Sequence, residues 1–84
     1  MNLKDIIHLF SSYRTLIICD YESQEKLKVY EACDIRFGSP FEDLDVRKAI
    51  DRSNNIKNEF GEYDVMLITS GEFCIYLDVV KGVI

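Results

Sequence analysis

His8 is the only histidine of the chain, and Cys19, Cys33 and Cys74 are its thiols. A histidine works as a general base near neutral pH when a nucleophile and an orienting carboxylate stand beside it. His8 follows the apolar pair Ile6-Ile7 and is accompanied by no GxSxG, no catalytic-cysteine signature and no Ser-Lys pair, so it reads as a surface or boundary residue. The cysteines are odd in number, lack CxxC or Cys/His spacing, and each lies in or beside an apolar strand-like run. That pattern excludes a disulfide framework or a zinc site and describes free thiols packed as small hydrophobes in a reducing cytoplasm. Gly38, Gly61, Gly71 and Gly82 are scattered, whereas a phosphate cradle needs clustered backbone amides. The pairs Asp43/Asp45 and Asp20/Glu22 lack the oxygen count and central glycine of a calcium loop, and a chain of 84 residues has little room for a cleft between two glycosidase carboxyls. No catalytic residue, metal or cofactor is expected, and the chain reads as a non-enzyme.

Recognition is the chemistry left. Fifteen acidic residues against ten basic ones give a net charge of −5, a field that repels phosphate backbones and argues against direct nucleic-acid binding. The carboxylates fall into three groups: Asp20, Glu22 and Glu25; Glu42, Asp43 and Asp45; and Glu59, Glu62 and Asp64. If two groups share a side, they form an anionic stripe suited to stand in for phosphates in a basic groove of a protein partner. The bland alternative is that these acids keep wet loops soluble. The amphipathic aromatics add a second possibility. Tyr30 and Tyr76, with Met66, are expected on a sheet face that no helix covers, where they are material for self-association and a homodimer.

Positioning these groups falls to one domain, residues 1–84. With 48% hydrophobic and 30% charged residues the composition is that of a folded chain, and a chain this short buries only roughly 64% of its extended surface, so a second copy would add needed stability. The run Leu16 to Cys19 is far short of the ~18 apolar residues of a membrane span, and the expectation is a chain neither exported nor membrane-embedded. Asn2 caps a helix over about 3–12, with Leu3, Ile6, Ile7 and Phe10 at helical spacing. Thr15 to Tyr21 is β-branched and short, a central strand, and the alternating Lys26 to Cys33 returns beside it as a hairpin. Two periods compete in the middle. Ser39-Pro-Phe-Glu42 spells a capping box with proline at the first helical position, yet Leu44, Val46, Lys48 and Ile50 alternate. A helical turn at 40–44 with a strand at 45–51 is favoured, one helix over 40–52 is the alternative, and Asp51 to Gly61 is expected as an exposed loop anchored by Ile56 and Phe60. Tyr63 to Thr69 and Glu72 to Val80 flank Ser70-Gly71 as a tight C-terminal hairpin.

The fold class is therefore α+β, an N-terminal helix on an antiparallel sheet of four to five strands. The covered face is expected to hold Leu3, Ile6, Ile7 and Phe10 on Leu16, Ile18, Leu27, Val29, Leu67, Ile75 and Leu77. The bare face is expected to hold Ile17, Cys19, Tyr21, Tyr30, Met66, Ile68, Cys74 and Tyr76.

The order LKDIIHLF, TLIICDY, polar turn, KLKVYEACDI, DLDVRKAI and the paired YDVMLIT and FCIYLDV resembles the small acidic α+β accessory proteins of phages and mobile elements of Firmicutes, a group that includes type II anti-CRISPR inhibitors. The likeness covers most of the chain and lies in pattern, with a longer 51–61 segment than the compact turn of that group, and it assigns no individual residue. It implies a phage-encoded inhibitor acting in the host cytoplasm, imitating DNA to occupy a basic groove of a CRISPR nuclease.

Overall fold

The computed structural model describes residues 1–10 and 13–81. A short helix α1 (Leu3–Ile6) runs into a 3-10 turn (Ile7–Leu9), followed by β1 (Thr15–Asp20), β2 (Lys26–Tyr30), a long helix α2 (Glu42–Phe60), β3 (Asp64–Ser70) and β4 (Cys74–Val80). The helical N-terminus thus ends sooner than a helix to residue 12, and Ser11 and Ser12 lie outside the described residues.

The strands form one sheet in the order β2-β1-β4-β3. β1 pairs antiparallel with β2 and β3 with β4, while β1 and β4 run parallel at the centre. The α+β class and the C-terminal hairpin are as expected, and the sheet is mixed. A parallel neighbour needs a long crossover, and α2 supplies it by linking the two hairpins from one sheet edge to the other. The last hairpin turns two residues later than Ser70-Gly71: Gly71 N–H donates to the Cys74 carbonyl at 2.8 Å, leaving Glu72 and Phe73 at the tip.

The middle of the chain corrects the sequence reading. Residues 45–51 are helical and so is 51–60, where a strand and a loop were expected. Val46, Ala49, Ser53, Ile56 and Phe60 recur at three- and four-residue steps, and they are among the positions that α2 turns away from solvent, with Ile56 1% exposed. The Leu44 and Ile50 of the alternating pattern are half-exposed. Ser39 and Glu42 act at the helix start in a displaced form of the capping box. The Ser39 hydroxyl accepts from Phe41 N–H at 3.1 Å, and the Glu42 carboxylate accepts from Gly38 N–H at 2.8 Å. Gly38 has φ +82°, a conformation that disfavours any side chain. At the other end Gly61 is squeezed: a Cβ there would run into the Lys57 carbonyl and lie 3.3 Å from the Lys4 Cβ, while Gly61 C=O accepts from Lys4 N–H at 3.2 Å.

Residues paired across strands point to the same face. Leu16, Ile18, Ile75, Leu77 and Val79 share the face under the helices, and they pack with Leu3, Ile6, Ile7, Ile56 and Tyr30 into a single core. The molecule measures 44 × 27 × 17 Å, and its thin dimension is one helical layer on one sheet.

Candidate functional site

Among the described residues no helix covers the second face of the sheet. Across its middle the register sets Val29, Ile17, Tyr76 and Thr69 in a row over all four strands, and the next row holds Cys19, Asp78 and Leu67. Ile17 at the centre is 8% exposed because its neighbours fence it, whereas Val29 is 41%, Tyr76 39% and Leu67 51% exposed, and Leu27 at the β1–β2 irregularity is 40% exposed. Burial, aided by the charge of Asp78, raises the Cys19 thiol above its ordinary range, so it stays neutral near pH 7. Tyr76 is likewise held protonated, chiefly by its hydrogen bond with Cys74 and by the charge that thiol would carry. The result is a flat apolar field with one carboxylate, Asp78, a neutral phenol, and Lys26 opposite Cys19 at its β2 edge.

The membership of this face differs from the expectation in a physically specific way. Tyr30 is on the covered side, paired with Leu16, 8% exposed, and edge-on to Phe60 with ring centres 6.4 Å apart; it is shut off from any association surface. Val29 and Leu67, expected beneath the helix, face outward on the open side. Both changes follow from register, since Tyr30 pairs with Leu16 and Leu67 sits one residue past the bulge that Met66 creates. Met66 is 53% exposed at the β3 edge, and Tyr76 lies on the open face as expected.

The carboxylates have been given other work. Asp20 accepts from the Ser23 hydroxyl at 2.8 Å and from Ser23 N–H at 3.3 Å, which closes the β1–β2 turn and lowers the acid's pKa. Glu42 accepts from Gly38 N–H and so ties down the segment that leads into α2, and Asp45 accepts from Arg36 N–H at 3.3 Å. Glu62 binds Lys4 at 2.8 Å, Glu59 approaches Lys28 at 3.7 Å, and Asp64 approaches the N-terminal ammonium at 3.8 Å. Among the described residues Glu22, Glu25 and Asp43 make no such bond, and Asp43 stands in the first turn of α2, where the helix dipole favours an anion.

Topology decides which groups meet. β1 and β4 end, and β2 and β3 begin, at one end of the sheet, so the Asp20 group and the Glu62/Asp64 pair share that end. The Glu42 group starts α2 after the chain has left the opposite end of β2. Cations interleave at the shared end: Lys4 and the N-terminus are both engaged there.

Elsewhere, His8 is exposed in the 3-10 turn. The three cysteines are free and half-buried, and no group of three or more His, Cys, Asp or Glu capable of holding a metal occurs among the described residues. Among the described residues no helix is long and apolar enough to cross a membrane. Comparison with protein-family models, curated proteins and solved structures finds no match.

Proposed function

We propose that this chain is a non-enzymatic protein-binding module whose contact surface is the open sheet face, rimmed at one end by the unengaged carboxylates Glu22 and Glu25. One observation carries the reading: Val29, Tyr76, Leu67 and Leu27 stand two-fifths to one-half exposed around the fenced Ile17 on a face that no element among the described residues covers. An apolar centre with a polar rim is the anatomy of a protein interface, and Tyr76 is the aromatic type on which such interfaces concentrate their energy. The partner that fits is a protein with an apolar patch bordered by basic side chains. Three free thiols suit a reducing compartment, and we assign the module to the cytoplasm.

The inhibitor reading, in which an acidic surface mimics nucleic acid on a basic groove such as that of a CRISPR nuclease, draws support from the shared end of the Asp20 and Glu62/Asp64 groups. The two readings part on one experiment, affinity capture from host lysate with wild-type and variant baits. If the open face is the contact, Val29→Lys and Tyr76→Lys lose the captured protein and Glu22→Lys/Glu25→Lys keeps it. If acidic mimicry is the contact, the double charge reversal loses it, capture falls steeply with salt, and the open-face variants keep it.

A further inference from the structure

The two edges of the sheet are unlike. The β2 edge carries Lys26 and Lys28, the charges with which natural sheets discourage edge pairing. From Val65 to Gly71 the β3 edge has no charged residue, no proline, and Met66, Leu67 and Ile68 each about half exposed. Part of this edge already accepts a strand. Val65 N–H donates to the Met1 carbonyl at 2.9 Å, Leu3 N–H donates to the Tyr63 carbonyl at 2.9 Å, and Asn2 bridges antiparallel to Asp64.

The remaining backbone has a defined direction. Gly71 N–H points inward to β4, and strand amides alternate sides, so Thr69 also points inward while Ile68 and Ser70 present N–H and C=O outward. The bulge between Val65 and Leu67 reconciles this alternation with the outward Val65 amide. Beside the edge on the helix side lie two hollows separated by Ile68. One, about 380 Å³, is lined by Leu9, Phe10, Arg14, Ile68, Ser70 and Ile75. The other, about 280 Å³, adjoins Met1, Ile6 and Val65.

We propose that a second copy of this chain pairs with β3 edge to edge, antiparallel about a two-fold axis at Thr69, to form a continuous eight-stranded sheet. In that register Ile68 of each copy exchanges N–H and C=O with Ser70 of the other, and both outward-facing residues are satisfied. The same pairing sets the Ile68 side chain of one copy beside Ser70 of the other, over the larger hollow, so a protruding residue meets a cavity twice by symmetry. A register two residues further along would ask the bulged segment at Met66 to pair, where the regular alternation of the strand breaks. The strand itself sets no like charges against each other, since Val65 to Gly71 carries none, and the Arg14 guanidinium beside it is held by its own copy's Ser70, whose hydroxyl accepts from it at 2.7 Å. This pairing uses the edge, not the open face, and does not depend on the function proposed above.

Sedimentation over a range of concentrations tests it. Wild type is expected to shift from monomer to dimer, with association strengthened by salt because each copy carries a net charge of −5. Ile68→Lys is expected to weaken the dimer at least about tenfold, and Ser70→Pro, which removes an outward N–H and spares the β3–β4 ladder, to do the same. Tyr76→Lys on the open face leaves it intact. Circular dichroism verifies each fold, and hydrogen exchange on wild type gives a reading free of mutation: Ile68 and Ser70 amides gain protection as concentration rises. A strict monomer at every concentration, a dimer lost through Tyr76→Lys but not Ile68→Lys, or unchanged exchange at Ile68 and Ser70 overturns the proposal.

Discussion

Tyr30 shows how one side chain's chemistry is set by what covers it. Its ring completes the core against Phe60, Lys28 stands 5.8 Å above its centre, and its hydroxyl is closed off from solvent with the Glu59 carboxylate near enough to act by charge but not in hydrogen-bonding geometry. Burial first, then Glu59, holds the phenol far above its usual range. The unfolded chain releases this proton near the ordinary tyrosine value of 10.0 and the folded chain does not. The stabilisation is therefore complete below pH 10 and declines as pH rises above it. Tyr30→Phe removes a buried hydroxyl without good partners and is expected to stabilise the fold by about 1 kcal/mol. It should also flatten the alkaline loss of stability expected in urea melts from about pH 9 to about pH 11, roughly one unit either side of the ordinary tyrosine pKa. A Tyr30→Phe chain that is markedly less stable at pH 7 would show that the hydroxyl is bonded after all. The same residue marks a limit of sequence reading. Tyrosine type suggests an interface, but whether the ring faces core or solvent is decided by a register of one residue, and register depends on the partner strand.

At the scale of elements, the parts legible from local pattern were those fixed locally. The last hairpin and the β1–β2 pair announce themselves because their β-branched and apolar runs are short and separated by brief polar or glycine-bearing turns, although the last turn closes two residues later than Ser70-Gly71. The parallel contact of β1 with β4 joins segments some sixty residues apart and leaves no local trace. Helix α2 was legible in principle and hidden in practice. Its inward stripe of Val46, Ala49, Ser53, Ile56 and Phe60 keeps helical spacing throughout, but the small Ala49 and polar Ser53 weaken the signal, and Asn54, Asn55 and Asn58 suggest a loop. Those asparagines are exposed poor helix formers, each about 0.6 kcal/mol less favourable than alanine in a helix interior. Asn55→Ala/Asn58→Ala should accordingly raise stability by about 1 kcal/mol and sharpen the helical circular-dichroism signal. Were this segment a loop, the substitutions would leave both unchanged. The three acidic groups were visible as residues, but their duties were not. Asp20 closes a turn and Glu42 and Asp45 hold the entry to α2, because short carboxylates beside free backbone amides bond locally before they face a partner.

For the whole molecule, the governing fact is that one helical layer serves a two-faced sheet. The covered face supplies the core, with Leu3, Leu16, Ile18, Leu77 and Val79 fully buried, and the open face leaves Val29, Leu67 and Tyr76 in water, where they add little to the stability of the isolated chain. The consequence is measurable without knowing the partner. Leu67→Lys and Val29→Lys exchange half-exposed apolar groups on a solvated surface, so each is expected to change the unfolding free energy by no more than about 0.5 kcal/mol, while light scattering at high concentration falls because an exposed apolar patch has been broken. A core substitution behaves in the opposite manner: Leu77→Ala, fully buried on β4, should cost about 2–5 kcal/mol. The contrast locates the boundary between what holds the fold and what the fold holds out to solvent. If Leu67→Lys and Val29→Lys instead destabilised as Leu77→Ala does, the second face would be packed against something within the chain, and the surface proposed to meet a partner would already be occupied.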